Sequence, residues 1–243
     1  MQKALTNTLI ISSNESTKFY RTGLNNVGKR SVLIGMSPGN GYFTEQNMVD
    51  ILRGISQRSP KIYLVVPDEP HIHNYMGIGY SFEKAKKKAK KDNNQTNNRL
   101  FRAIEVLKND LSMTNLSVIN WSEDVEINET YLHNYNLILE EYTVNSDFKH
   151  CVNTLTYQYL ESRLASRSVL NISVTEGVKY YLKELALFTA MPSILGDEPL
   201  VAYYKKWGNG LEYIEQLFKN FSDNFGMIQY ELQPVHTQIL VNA

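Results

Sequence analysis

The chain has 243 residues, is 42% hydrophobic and balances Lys+Arg 25 against Asp+Glu 25, so its formal net charge is zero and the total gives no pointer to a polyanionic partner. One cysteine, Cys151, excludes an intramolecular disulfide. No run approaches the roughly 18 apolar residues of a membrane helix, and "MQKALTNTLIISSNES" lacks the apolar region and cleavage site of a signal peptide, so a soluble cytoplasmic protein is expected.

This length suits one α/β domain over residues 1–243. The first long apolar runs, "SVLIGM" (31–36) and "KIYLVV" (61–66), read as strands buried on both faces. Between them "TEQNMVDILRGISQR" (44–58) reads as a helix with Thr44 as N-cap, which makes a parallel βαβ unit. A long helix is predicted from Phe82 to Lys108, with "DNNQTNN" a point where it could break. "LSVINW" (116–121) reads as a strand, and 124–188 is mainly helical, with breaks near 145, 165 and 172. Within it, "SVTEGVKYYLKELALF" (173–188) opens with Ser173 and Glu176 at capping-box spacing. After a break at Pro192 come strands "LVAYYK" (200–205) and "GMIQYEL" (226–232). No internal repeat is present. The expected fold is a Rossmann-like α/β sandwich with a mainly parallel sheet.

In such sheets ligands bind beyond the carboxyl ends of the strands, where "GMSPGN" places Ser37. Gly35-Met36-Ser37-Pro38-Gly39 also fits the G-x-S-x-G elbow of serine hydrolases. That elbow needs the backbone N–H after its nucleophile, and Pro38 has none. Asp197 and His236 stand in the right chain order for a triad, but nothing else marks them. A dinucleotide loop is poorly supported, because G-x-G-x-x-G is absent.

On a helical wheel, Phe82, Ala85, Ala89, Thr96, Leu100, Ala103, Ile104 and Leu107 share one side of the long helix. Lys84, Lys87, Lys88, Lys91, Arg99 and Arg102 share the other, flanked by Lys86 and Lys90. Like charges at this spacing cost helix stability, so the stripe is either solvated or a phosphate contact surface. A localised polyanion suits it and long DNA does not. Without catalysis, the same stripe would make the chain an RNA-binding module. In the 173–188 helix, Tyr180 and Glu184 lie four residues apart on the side opposite Val178, Tyr181, Leu182 and Leu185. That side faces either solvent or a pocket; in a pocket, its carboxylate and phenol could hold an ammonium group.

Ser37 with Asn40 in "GMSPGN", Tyr180-x-x-x-Glu184 and Tyr203 in "LVAYY" occur together in this order. The combination, over roughly residues 20–235, resembles the cyclodipeptide synthases, enzymes similar to the catalytic domain of class I aminoacyl-tRNA synthetases. The resemblance implies two aminoacyl-tRNAs as substrates and a cyclic dipeptide (a diketopiperazine) as product. No cofactor or metal is expected, and no partner beyond tRNA for a chain expected to be a monomer, with a downstream tailoring enzyme as an option. Ser37 would take the first aminoacyl group, Tyr180 and Glu184 would hold its amine, and Tyr203 would assist cyclisation. Asn40 and Tyr131 would shape the site, and Gly35 would leave room beside the serine. Leu33, Val65, Pro67 and Leu187 would line the first side-chain pocket, which suits Leu or Phe. The basic helix would hold the first tRNA, with Arg163 near the same site. Tyr204 departs from the His, Gln or Pro usual after the site tyrosine, which leaves the substrate branch and the details of cyclisation open.

Overall fold

The computed structural model describes residues 7–12, 18–108, 115–164, 172–204, 210–218, 221 and 225–234. In chain order the strands are β1 (Asn7–Ser12), β2 (Val32–Gly35), β3 (Ile62–Val66), β4 (Leu116–Asn120), β5 (Leu200–Tyr203) and β6 (Met227–Pro234). The helices are α1 (Lys18–Asn26), α2 (Glu45–Ser56), α3 (His71–Gly77), α4 (Phe82–Lys108), α5 (Glu129–Val144), α6 (Ser146–Leu164), α7 (Val174–Leu195) and α8 (Leu211–Leu217). A short π-turn, Trp121–Val125, follows β4.

The strands form one six-stranded sheet in the order β1-β6-β5-β2-β3-β4. All neighbours pair in parallel except β1 and β6, which are antiparallel. The mainly parallel sandwich is therefore present, with one addition at its edge. Strand β1 lies in the N-terminal patch where no element was predicted; its Thr-interrupted run is short, and antiparallel pairing with β6 holds it.

Side chains alternate across a strand, and here the alternation sorts two cores. Val32, Ile34, Ile62, Leu64 and Val66 pack with α2 and α4 on one face. Leu33, Tyr63, Val65 and Val201 pack with the α5–α7 layer on the other. Odd-numbered residues at the carboxyl ends of β2, β3, β4 and β5 thus turn toward α7.

Helix α4 runs over the expected span, Phe82–Lys108, with no break at "DNNQTNN". Its polar middle is held by tertiary contacts: Asn93 Nδ2 donates to the Asp68 carbonyl at 3.1 Å, and Thr96 Oγ1 accepts from the Gly39 N–H at 3.4 Å. Phe82 is 51% exposed rather than part of the apolar side. Pro192 does not end α7, which continues to Leu195 and stops at Gly196 with φ +61°. Proline forfeits one helical hydrogen bond, and burial of Leu187, Phe188, Ala190 and Met191 just before it holds the last turn in place. Nor does Ser173 cap α7 through its side chain. Glu176 instead pairs with Lys179 at 3.0 Å.

Candidate active site

Strand β2 ends where the Met36 N–H donates to the Val65 carbonyl at 2.9 Å. Ser37-Pro38-Gly39-Asn40 then turns, with the Asn40 N–H donating to the Ser37 carbonyl at 3.3 Å. Proline second, and glycine third with φ +67°, are the signature of a type II turn. Asn40 braces the residues after the turn. Its Oδ1 accepts from the Tyr42 N–H at 3.0 Å, and its Nδ2 donates to the Tyr204 hydroxyl at 2.6 Å. The Tyr42 and Tyr204 rings stack with centroids 4.4 Å apart. Asn40 and Tyr204 therefore meet as one bracket around the turn.

Ser37 continues the odd-numbered face, so it points toward α7. There its hydroxyl bears on the Tyr180 phenol. One turn later Glu184 Oε1 accepts from the Tyr203 hydroxyl at 2.7 Å. Burial raises the Glu184 carboxyl to about 7, against the opposing effect of the Tyr203 hydrogen bond. Burial and the nearby Glu184 charge also keep the Tyr180 and Tyr203 phenols neutral, well above their ordinary value. The site is thus a hydroxyl, two phenols and a carboxyl poised near neutrality, the chemistry that receives an ammonium and relays its protons.

Beside these groups a narrow cleft runs between the sheet and α7, and it brings together Leu33, Gly35, Val65, Pro67 and Leu187. Trp121, Phe188 and Val201 also line it, three residues that the sequence pattern had not singled out. Residue parity was the missed signal, since 121 and 201 share the odd-numbered face of their neighbours. A Cβ at Gly35 would sit 3.8 Å from the Tyr203 hydroxyl, an ordinary contact, so protein packing alone does not require glycine there. Tyr131 lies one layer back, 2% exposed, with its ring 6.0 Å edge-on from Trp121. It does not line the cleft itself.

The lysine stripe divides in two. Lys84, Lys87 and Lys91 are exposed. Lys88, Arg99 and Arg102 are engaged within the chain. Lys88 Nζ lies 4.9 Å from the Tyr80 ring centre, Arg99 donates to the Phe43 carbonyl at 3.4 Å, and Arg102 pairs with Glu45 at 2.5 Å. Arg163 lies 5.8 Å over the Tyr159 ring, and its charge bears on His71 and Asp92.

Two alternatives meet the geometry. Asp197 accepts hydrogen bonds from Ser31 Oγ at 2.6 Å and Tyr63 Oη at 3.1 Å. Ser31 precedes β2 and Ser37 follows it, so strand rise puts Asp197 about 20 Å from the serine turn, at the wrong end of the sheet for a triad. His236 falls outside the described residues. No group of three or more His, Cys, Asp or Glu among the described residues could hold a metal ion, and no described helix is long and apolar enough to cross a membrane.

With this geometry in place, the chain's likeness to known proteins decides the family. Residues 26–222 match the cyclodipeptide synthase family. The chain belongs to the cyclodipeptide synthases. These are enzymes that use aminoacyl-tRNAs to make cyclodipeptides, so a module that only binds RNA is set aside. A cyclo(L-leucyl-L-leucyl) synthase from Staphylococcus haemolyticus is 25% identical over 195 residues, covering 78% of this chain and 82% of that protein. A Mycobacterium tuberculosis protein, whose structure demonstrates that cyclodipeptide synthetases are related to type I tRNA synthetases, superposes with TM-score 0.67. It is 19% identical, over 96% of this chain and 99% of that one. A cyclodipeptide synthase from Candidatus Glomeribacter gigasporarum, bound to Phe-tRNAPhe, superposes with TM-score 0.58. It is 19% identical, over 84% of this chain and 88% of that one. The aminoacyl-tRNA synthetase-like sandwich expected from the sequence is the fold this synthase has.

Proposed function

We propose that this synthase joins two aminoacyl-tRNAs into a cyclic dipeptide by a ping-pong route through an aminoacyl-Ser37 ester. The observation that carries it is the serine turn at the carboxyl end of β2, where the Ser37 hydroxyl bears on the Tyr180 phenol beside the Glu184–Tyr203 pair at the cleft. Ser37 Oγ attacks the aminoacyl carbon. The bond from that carbon to the terminal ribose breaks, and the ribose oxygen leaves with the serine proton. The amine of the second aminoacyl-tRNA then attacks the Ser37 ester, forming the first amide and returning a proton to Ser37. The remaining α-amine closes onto the second ester carbonyl and releases the second tRNA.

An unactivated serine is a poor nucleophile. Exchange of one ester for another is nearly balanced in energy, however, so the reaction asks for positioning and proton relay more than for a strong base. Tyr180 and Glu184 hold the α-ammonium, and that charge draws Glu184 to its ionised form. Tyr203 relays protons during cyclisation. The exposed Lys84, Lys87 and Lys91 hold tRNA phosphates by counterion release. Leu33, Val65, Pro67, Trp121 and Leu187 favour Leu or Phe as the first residue. Apolar pockets separate near-isosteres by only about 1–3 kcal/mol, so a mixture of hydrophobic products is expected.

Mass spectrometry of culture medium from a host expressing the chain tests the reading. Cyclic dipeptides of hydrophobic residues appear with the wild type and vanish with Ser37→Ala. Continued product from Ser37→Ala overturns the serine route.

A further inference from the structure

Asp92 is the single acid within residues 84–99, a stretch that otherwise carries lysine, arginine and neutral side chains. A helix that binds a polyanion gains nothing electrostatically from it. Asp92 nevertheless sits directly under the serine turn. A Cβ built on Gly39 would lie 2.3 Å from Asp92 Oδ2, so the carboxylate occupies the space against the third residue of that turn. It is held there from the opposite side. The Tyr75 hydroxyl donates to Oδ2 at 2.6 Å, and His71 Nε2 lies 3.3 Å from the same oxygen.

His71 is 1% exposed, and Asn74 Nδ2 donates to its Nδ1 at 3.3 Å. That bond leaves the ring proton on Nε2, facing Asp92. Burial lowers the His71 pKa, so the ring stays neutral and the tautomer fixed. Burial opposes charge on Asp92, but the hydrogen bonds from His71 and Tyr75 outweigh it and hold the carboxyl below its usual range. Thr96, one turn further along α4, accepts the Gly39 N–H at 3.4 Å. The turn therefore rests on two consecutive turns of one helix, and α3 fixes the lower of them.

We infer that Asp92, braced by His71 and Tyr75, is a positioning residue that seats the serine turn so that Ser37 meets the first aminoacyl ester in a reactive geometry. This rests on the proposed role of Ser37. The carboxylate touches Gly39, not the reacting atoms, and acts through the turn. It also explains why an acid persists inside the cationic stripe.

The test is single-turnover acylation of the purified full chain by aminoacyl-tRNA, read as the rate constant and the final fraction of acylated Ser37. Misplacement by about 1 Å can cost on the order of 100-fold. Asp92→Asn is expected to slow acylation roughly 10- to 100-fold. The final acylated fraction should hold, and KM for aminoacyl-tRNA should stay level or fall, because a negative charge has left the tRNA-facing helix. Tyr75→Phe, which removes one brace, should slow acylation less and in the same sense. A wild-type rate constant in Asp92→Asn overturns the inference. So does a reduced acylated fraction at an unchanged rate, which marks a folding role only. If the wild type itself forms no acyl-Ser37 while making product, the proposed function fails instead, and the two failures are told apart.

Discussion

At the residue scale, Glu184 connects burial to chemistry. Its carboxyl is about 7 in the free protein because burial disfavours its charge. If the ionised form receives the substrate ammonium, kcat/KM for aminoacyl-tRNA rises with pH through about 7. Glu184→Gln should lower kcat/KM about 100-fold or more and flatten that acid limb. An unchanged limb in Glu184→Gln would assign the titration to another group. Stability has its own sign. Between the ordinary value of 4.5 and about 7 the folded chain keeps a proton that the unfolded chain releases. The stabilising effect is full below 4.5 and is lost as pH rises through about 7. Melting temperatures of wild type should therefore fall relative to Glu184→Gln across that window.

At the element scale, α4 shows where pattern reading holds and where it stops. Its apolar stripe of Ala85, Ala89, Leu100, Ala103 and Leu107 was legible from helical spacing, and all five are buried. Its span was legible too, but what holds the middle was not, because Asn93 and Thr96 are poor helix formers held by partners far away in sequence. Nor could spacing tell which cations are free, since Glu45 and the rings of Tyr75 and Tyr80 reach Arg102 and Lys88 only in the fold. Reversing Lys84, Lys87 and Lys91 to Glu should therefore weaken tRNA binding and shallow its dependence on salt, while circular dichroism stays unchanged. Equal tRNA affinity at physiological salt would remove α4 from the tRNA surface. The cleft tells the same story. Tyr180 and Glu184 could be placed on one side of α7 from spacing, but that this side faces Ser37 needed the sheet's parity and the packing of α7 over β2 and β5.

At the scale of the whole molecule, the parallel sheet separates two ends with different tasks. The carboxyl ends carry the serine turn, Tyr203 and the cleft. The amino ends carry Asp197, bound by Ser31 and Tyr63. These bonds, with one from the Glu198 N–H at 2.7 Å, hold the Asp197 carboxyl below its usual value although burial pushes the other way. Asp197→Ala should cost about 1–3 kcal/mol by leaving two hydroxyls unpaired and should leave the acylation rate unchanged. The stabilisation from Asp197 is present above the ordinary carboxylate range and lost as pH falls through its lowered value. Loss of activity without loss of stability would return Asp197 to the catalytic list. The sandwich itself was legible because β2 and β3 are continuous apolar runs. Edge strand β1 was not, because its pairing is with the far end of the chain.

Whether Ser37 carries the first aminoacyl group is decided by intact-protein mass spectrometry of the chain mixed with one hydrophobic aminoacyl-tRNA. A mass gain of one aminoacyl group is expected, mapped to the peptide containing Ser37 and absent from Ser37→Ala. A wild-type chain that makes cyclic dipeptide with no such adduct, or an adduct that persists in Ser37→Ala, would contradict the serine route.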